Sequence, residues 1–289
     1  MEITLSKYAG FCEGVQRAYD IVKNIAKDPA VKRPIFVLGS LVHNQDVVES
    51  IEKLGVKKLE IQGELEEVLE KMKKEIGTLV ITAHGMGPKI YEIAKQKKID
   101  LIDTTCPRVI KVQRLAKNFF EKATQIVLIG ERNHKEVRGI FEWAQKKAIF
   151  VETEEDLCGF VVDDPKKKII LLSQTTQDQE FVDRAVAEIV RKYPQAEAID
   201  SICLTTHHRQ TEVKELAAKN DVMLVIGSPE SANSNRLFEI AKKVNEKTYF
   251  IENVGQIKKE WFDSCQKIGV SAGASTPKWI IDEILCFFS

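Results

Sequence analysis

The sequence predicts an α/β fold of parallel-type sheets set in three similar modules, and three observations carry that prediction. Short apolar runs recur, each ending in small and polar residues: PIFVLGSLVHN (34–44), TLVITAHGMG (78–87), QIVLIGERNH (125–134), KIILLSQTT (168–176), VMLVIGSPESANS (222–234) and KIGVSAGAST (267–276). Between them lie stretches with apolar residues three and four apart, among them 15–27, 111–123, 179–193 and 236–247. One cysteine stands at a turn into a helix before each pair of apolar runs: Cys12 in AGFCEGV, Cys106 in DTTCPRV and Cys203 in DSICLTT.

Each element follows from side-chain chemistry. Apolar runs without alternation suit strands buried on both faces of a parallel sheet. The intervening stretches have the period of helices with one apolar face. Strands alternating with helices give an α/β fold. The interval is 94 residues from Cys12 to Cys106 and 97 from Cys106 to Cys203, with Asp103 and Asp200 each three residues before their cysteine. Three modules related by a pseudo-threefold axis would gather ligands where the carboxyl ends of their strands converge. The charged run at 57–75 reads as solvated helix faces.

Composition narrows the function. The chain has 289 residues, 44% apolar and 30% charged, and Lys plus Arg (43) equals Asp plus Glu (43). That balance argues against a surface holding nucleic acid by counterion release. No run approaches the roughly 18 apolar residues of a membrane span. The N-terminus lacks the pattern of a secretory signal, which predicts a cytoplasmic protein. Six cysteines are too sparse for a disulfide scaffold, leaving core residues, nucleophiles or metal ligands. Cys158 and Cys286 have apolar neighbours and read as core thiols, and Cys265 has no matching loop context.

The three periodic cysteines are the leading chemical candidates. Pro107 suits the first position of a helix, making Cys106 its cap, and Cys12 also precedes a helical stretch. The positive end of a helix favours a thiolate. Without CxxC or HExxH, a structural zinc site has no support. Three thiolates from three modules could hold an iron-sulfur cluster with one iron lacking a protein thiolate, or they could be independent buried thiols.

His43, His84 and His134 end predicted strands, where histidines either make structural hydrogen bonds or orient and protonate an anionic substrate. His207 and His208 follow Cys203 and read equally as local or solvent-facing. Glu136, two residues after His134, is a surface carboxylate or a proton shuttle, with Thr175 and Thr176 available to a hydroxyl relay. Ser231, Asn233, Ser234 and Ser275 either cap helices or bind phosphate at helix N-termini. P-loop, GxGxxG and GxSxG patterns do not occur.

The ordered strings GFCEGV, LVHN, TAHGM, DTTCP, NHKEV, SQTT, ICLTTHHRQ, SANSN and AGAST resemble the 4-hydroxy-3-methylbut-2-enyl diphosphate reductase (LytB-like) family over residues 1 to about 280. The resemblance implies a three-module trefoil around a central cluster cavity. It implies a 4Fe-4S cluster held by Cys12, Cys106 and Cys203, its fourth iron open to substrate. His43, His84, His134, Thr175, Ser231, Asn233 and Ser275 are then implied substrate binders, and Glu136, Thr175 and His134 the catalytic group, with Glu136 and Thr175 delivering the proton. The implied reaction is a two-electron reductive dehydroxylation giving isopentenyl and dimethylallyl diphosphate, the last step of the non-mevalonate isoprenoid pathway. Ferredoxin or flavodoxin is the implied electron donor, with no nucleic-acid or membrane partner.

Three residues depart from the family pattern: Ala232 in place of a second serine, Lys135 in place of proline, and Thr205 in place of alanine. These bear on a phosphate contact, on loop rigidity and on hydrogen bonding near Cys203. The cysteine period sets module boundaries near 106 and 200, giving modules at 14–105, 106–199 and 200–280; the resemblance implies that residues 1–13 return to the third module, and a C-terminal tail, 281–289, follows. A metal-independent phosphate-ester hydrolase and a cluster-bearing sensor that binds diphosphate without turnover are the other readings.

Overall fold

The computed structural model describes residues 1–288. Strand β1 (Glu2–Leu5) leads through the Cys12 turn to helix α1 (Glu13–Lys27), followed by β2 (Ile35–Leu38), α2 (Gln45–Glu52), β3 (Val56–Leu59), α3 (Leu65–Met72), β4 (Thr78–Ile81), α4 (Lys89–Lys97) and β5 (Asp100–Asp103). Next come α5 (Pro107–Glu121), β6 (Gln125–Ile129), α6 (Lys135–Trp143), β7 (Ala148–Val151), α7 (Glu154–Cys158), β8 (Ile169–Ser173), α8 (Gln179–Lys192) and β9 (Ala196–Ala198). The last stretch holds α9 (Leu204–Lys219), β10 (Val222–Ile226), α10 (Ala232–Val244), β11 (Thr248–Ile251), β12 (Lys267–Ala272) and α11 (Lys278–Cys286).

The strands pair into three four-stranded sheets ordered β3-β2-β4-β5, β7-β6-β8-β9 and β11-β10-β12-β1, and every pairing is parallel. The six apolar runs of the sequence form the six inner strands. Of these, β2, β4, β8 and β10 are buried at every position, as strands covered on both faces must be. The six outer strands are less buried: Val56–Leu59 is exposed at its two central positions and Asp100–Asp103 has no fully buried residue, and most of them mix polar with apolar residues. In the third sheet β1 takes the place of a fourth strand, with Glu2 to Leu5 in register against Lys267 to Val270. The start of the chain thus completes the sheet that its end builds.

Packing divides the chain into two compact units: Met1–Gln16, Val42–Ser50 and Cys203–Ser289 in one, Arg17–Leu41 and Ile51–Ile202 in the other. In the smaller unit, one core layer joins Leu224, Ile226, Val270, Ile281 and Ile284, and another joins Val213, Leu216, Met223, Val225 and Leu237. In the larger, Leu69, Leu79, Ile81 and Ile90 form one layer. Its second sheet packs Val127 and Leu171 with Ile189 of α8 in one core cluster and Ile126 and Ile170 with Val112 of α5 and Ile140 of α6 in another.

Two expectations are corrected. The stretch 57–75 is not one solvated helical run: Val56–Leu59 is a strand, and Leu69 of α3 is fully buried. Its lysines and glutamates face out, but the apolar residues between them serve a core. The expected tail at 281 begins inside α11, where Ile280, Ile281 and Ile284 are buried. An apolar residue every third or fourth position docks this helix on the third sheet; Ser289 lies outside the described residues.

Leu224 is fully buried on inner strand β10. Leu224→Ala is expected to destabilise the protein by about 2–5 kcal/mol through lost burial and the cavity left behind, measured as a lower urea midpoint.

Candidate functional site

The candidate residues lie where strands end and helices begin, the histidines, Glu136, Thr175, Ser231, Asn233 and Ser275 after inner strands and the three periodic cysteines after the outer strands β1, β5 and β9. In the larger unit, His134 caps α6, its Nδ1 accepting the Glu136 amide hydrogen at 3.2 Å. That bond makes Nε2 the protonated nitrogen of the neutral ring. Glu136, in the first turn, is only 2% exposed. Its Oε1 accepts from the Thr175 amide at 2.7 Å and its Oε2 from the Thr175 hydroxyl at 2.8 Å. Burial pushes the Glu136 carboxyl up to about 7, against the opposing effect of the two Thr175 bonds. The rings of His84 and His134 meet edge to face, with centroids 5.7 Å apart, and His84 Nδ1 lies 3.4 Å from the Thr82 hydroxyl. Gly85 turns the chain after His84 with φ +75°; a Cβ there would stand 2.5 Å from Gln113 Nε2 and 2.8 Å from Thr105 Cγ2.

Thr176 is not part of this pair, because its hydroxyl accepts from Gln174 Nε2 at 3.1 Å. Gln174 Oε1 in turn accepts from the Glu131 amide at 3.0 Å. This carboxamide joins the ends of β6 and β8.

In the smaller unit, Ser231 caps α10, and the Ser275 hydroxyl lies 3.3 Å from it. Asn233 is buried, and its Nδ2 has no hydrogen-bond partner among the described residues. A buried amide donor left open favours an acceptor from a ligand. His43 Nδ1 lies 3.7 Å from the Glu230 carboxylate. The departures fall at helix starts: Lys135 and Ala232 are the first residues of α6 and α10, directly after the capping His134 and Ser231. The caps are kept despite both replacements. Thr205 is the second residue of α9.

All three periodic cysteines are half-buried thiols outside any disulfide. Cys106 and Cys203 cap α5 and α9. Cys12 immediately precedes α1; its carbonyl accepts from the Gln16 amide at 2.8 Å, and its Sγ accepts from the Val15 amide at 3.5 Å. Behind Cys106, Asp103 accepts from the Thr105 amide at 2.8 Å and from the Tyr91 hydroxyl at 2.7 Å, which fixes the turn. Cys158 and Cys286 are exposed and so are not core thiols, since each ends a short helix facing solvent. Cys265 is half-buried, and burial pushes its thiol up. His207 faces solvent, while the His208 ring lies 5.1 Å from Tyr8.

Amino-acid type alone gave no signal for Arg209, which is 3% exposed on α9. Thr206 and Gln210 are buried with it, so the first half of this helix turns polar residues inward, and only from Val213 onward is its buried face apolar. Gln174 and Tyr91 also went unmarked, because an isolated carboxamide or phenol has no motif.

Residues 3–289 match the family model of the LytB protein. The 4-hydroxy-3-methylbut-2-enyl diphosphate reductase of Geobacter metallireducens is 37% identical over 99% of this chain and 96% of its own length, and that of Bacillus subtilis is 36% identical over 99% and 90%. The solved structure of the Plasmodium falciparum E-1-hydroxy-2-methyl-but-2-enyl-4-diphosphate reductase superposes with a TM-score of 0.90 at 31% identity, over 99% of this chain and 87% of that one. A solved (E)-4-hydroxy-3-methyl-but-2-enyl diphosphate reductase, described as the terminal enzyme of the non-mevalonate pathway, gives 0.71 at 35% identity over 99% and 98%.

The raised Glu136 carboxyl has a sign that stability measurements can read. The folded chain holds its proton more tightly than the unfolded chain, so this group stabilises the fold at pH 4, and that contribution is lost as pH rises toward about 7. Glu136→Gln keeps the shape and removes the titration. Its stability relative to the parent protein, from urea unfolding, is expected to increase between pH 5 and pH 7.5.

Proposed function

Because this chain belongs to the LytB family, we propose that it is a 4-hydroxy-3-methylbut-2-enyl diphosphate reductase acting in the last step of the non-mevalonate pathway. The carbon–oxygen bond of the substrate hydroxyl breaks, the oxygen leaves as water, and a carbon–hydrogen bond forms, using two electrons and two protons. Protonation at either end of the allylic system gives isopentenyl or dimethylallyl diphosphate. The observation that carries this reading is the buried Glu136 carboxyl, held by both donors of Thr175 and pushed up to about 7. A group half-protonated near neutral pH can both hold and release a proton.

We assign a 4Fe-4S cluster to Cys12, Cys106 and Cys203, its fourth iron open to substrate. The donor set fits: three unbridged, half-buried thiols at helix starts, one already accepting a backbone amide hydrogen. Among the described residues no three His, Cys, Asp or Glu side chains gather around a single metal ion. That speaks to a mononuclear site and not to a cluster whose thiolates bind different irons. When bound, the cluster supplies the electron transfer that side chains cannot.

The remaining roles belong to the chain. His43, Ser231, Asn233 and Ser275 bind the diphosphate in this reading. The open Nδ2 of Asn233 and the neighbouring hydroxyls of Ser231 and Ser275 suit anionic oxygens. His84 and His134 donate from imidazole nitrogens, which lets a chain of zero net charge bind an anion without a basic surface. When Glu136 is protonated its O–H can donate to the Thr175 oxygen, freeing the threonine O–H for the substrate. Reversing the two bonds returns the proton. Ferredoxin or flavodoxin supplies the electrons one at a time. No helix among the described residues is long and apolar enough to cross a membrane. The three modules follow the sheets, β1 belonging with the third.

Anaerobically purified protein is expected to carry about four irons and matching sulfide per chain, and to consume substrate only with an electron donor. Phosphate release without a donor would favour the hydrolase; absence of a cluster after reconstitution would remove the reductase. Glu136→Gln is expected to keep iron and substrate binding but lose about 100-fold or more in kcat. Asn233→Ala should instead raise KM by roughly tenfold, from one lost buried hydrogen bond to an anion.

A further inference from the structure

Arg209 is a buried cation that the proton and diphosphate chemistry does not use. It lies on α9, the helix capped by Cys203, about 9 Å along the axis from that cap. Helical side chains lean toward the N-terminus, so its long side chain can reach back toward Cys203. Nη1 donates to the Ala272 carbonyl at 2.9 Å and Nη2 to the Gly10 carbonyl at 2.7 Å. Gly10 is two residues before Cys12, and its φ of +95° lies where other residues are strained. The Cys12 amide donates to the Ala274 carbonyl at 3.3 Å. The guanidinium therefore fastens the Cys12 turn and the end of β12 to the helix that begins at Cys203.

Among the described residues no ion pair meets its charge directly. Both hydrogen-bonded partners are neutral carbonyls, and Nε has no partner among the described residues. Burial pulls the Arg209 pKa down from its ordinary value, and the opposing pull comes first from Cys12, then Cys203, then Glu212. An unpaired buried charge is costly, and guanidinium does not shed its proton in proteins. Cysteine binds metal as the thiolate, so a cluster held by Cys12 and Cys203 would bring compensating negative charge to this cation.

We propose that Arg209 is a positioning residue for the cluster: its planar fork holds the Cys12 turn, and its fixed positive charge beside Cys12 and Cys203 favours the reduced, more negative cluster. This rests on the cluster assignment above. One-electron reduction by the external donor adds one negative charge, which a buried cation nearby stabilises, and net charge is among the factors setting iron-sulfur potentials. Lysine would keep the charge but could not bridge two carbonyls with a planar fork.

The test compares the parent protein with Arg209→Lys and Arg209→Gln after anaerobic reconstitution, reading the cluster midpoint potential by dithionite titration and cluster loss to a chelator. Both variants are expected to lose the cluster faster. Arg209→Gln is expected to shift the redox equilibrium at least about tenfold toward the oxidised form, about 59 mV for one electron, while Arg209→Lys stays within about threefold of the parent. A normal potential in Arg209→Gln, or an equal shift in both variants, would overturn the charge role. If Arg209→Gln does not fold, Arg209→Lys decides: a potential within threefold of the parent supports the proposal, and a tenfold shift overturns it. A parent protein without cluster would instead overturn the cluster assignment and this inference together.

Discussion

Burial of the parallel strands on both faces constrains everything else in this protein. A strand such as Val222–Ile226, buried at all positions, has no face to spare for chemistry. Polar side chains are therefore displaced to the junction where each strand hands over to a helix, and there the helix start offers unpaired amide hydrogens. Cys106, His134, Cys203 and Ser231 are all cap residues of this kind. The same amides that must be satisfied for folding provide a setting for thiolates, anions and a histidine with a defined tautomer.

Glu136 shows how this arrangement shapes reactivity. It belongs to the first turn of α6, where acidic residues are commonly stable because the helix dipole favours them. Packing against the end of β8 removes it from water, and that penalty outweighs the two hydrogen bonds from Thr175. The result is a carboxyl near neutrality that keeps well-formed hydrogen bonds. Neither ordinary surface exposure nor a dry pocket without donors would give both properties.

In the smaller unit a similar balance involves donors. Asn233 Nδ2 and Arg209 Nε are buried without partners among the described residues, a combination that folding alone disfavours. Both are explained if the protein is built for anions, a diphosphate at one and cluster-bearing sulfur at the other. Close packing supports the arrangement: a Cβ at Gly227 or Gly273 would stand 2.3 or 2.0 Å from Ser234 Oγ, so two glycines let the strand ends pass the first turn of α10.

The sequence by itself determined the α/β class, the six inner strands, the three cysteine turns and the residue types of the candidate site. Those features rest on local periodicity, continuous burial and cap chemistry, which are written in neighbouring residues. It left the six edge strands unmarked because they are short and most mix polar with apolar residues, and it took Cys158 and Cys286 for core thiols because apolar neighbours do not reveal which way a helix end faces. Tertiary structure alone decided the register in which β1 pairs with β12, that both donors of Thr175 converge on the Glu136 carboxyl, and that Arg209 turns inward. Each depends on contacts between residues from 39 to 265 positions apart in the chain, where packing and desolvation, rather than local pattern, select the partner.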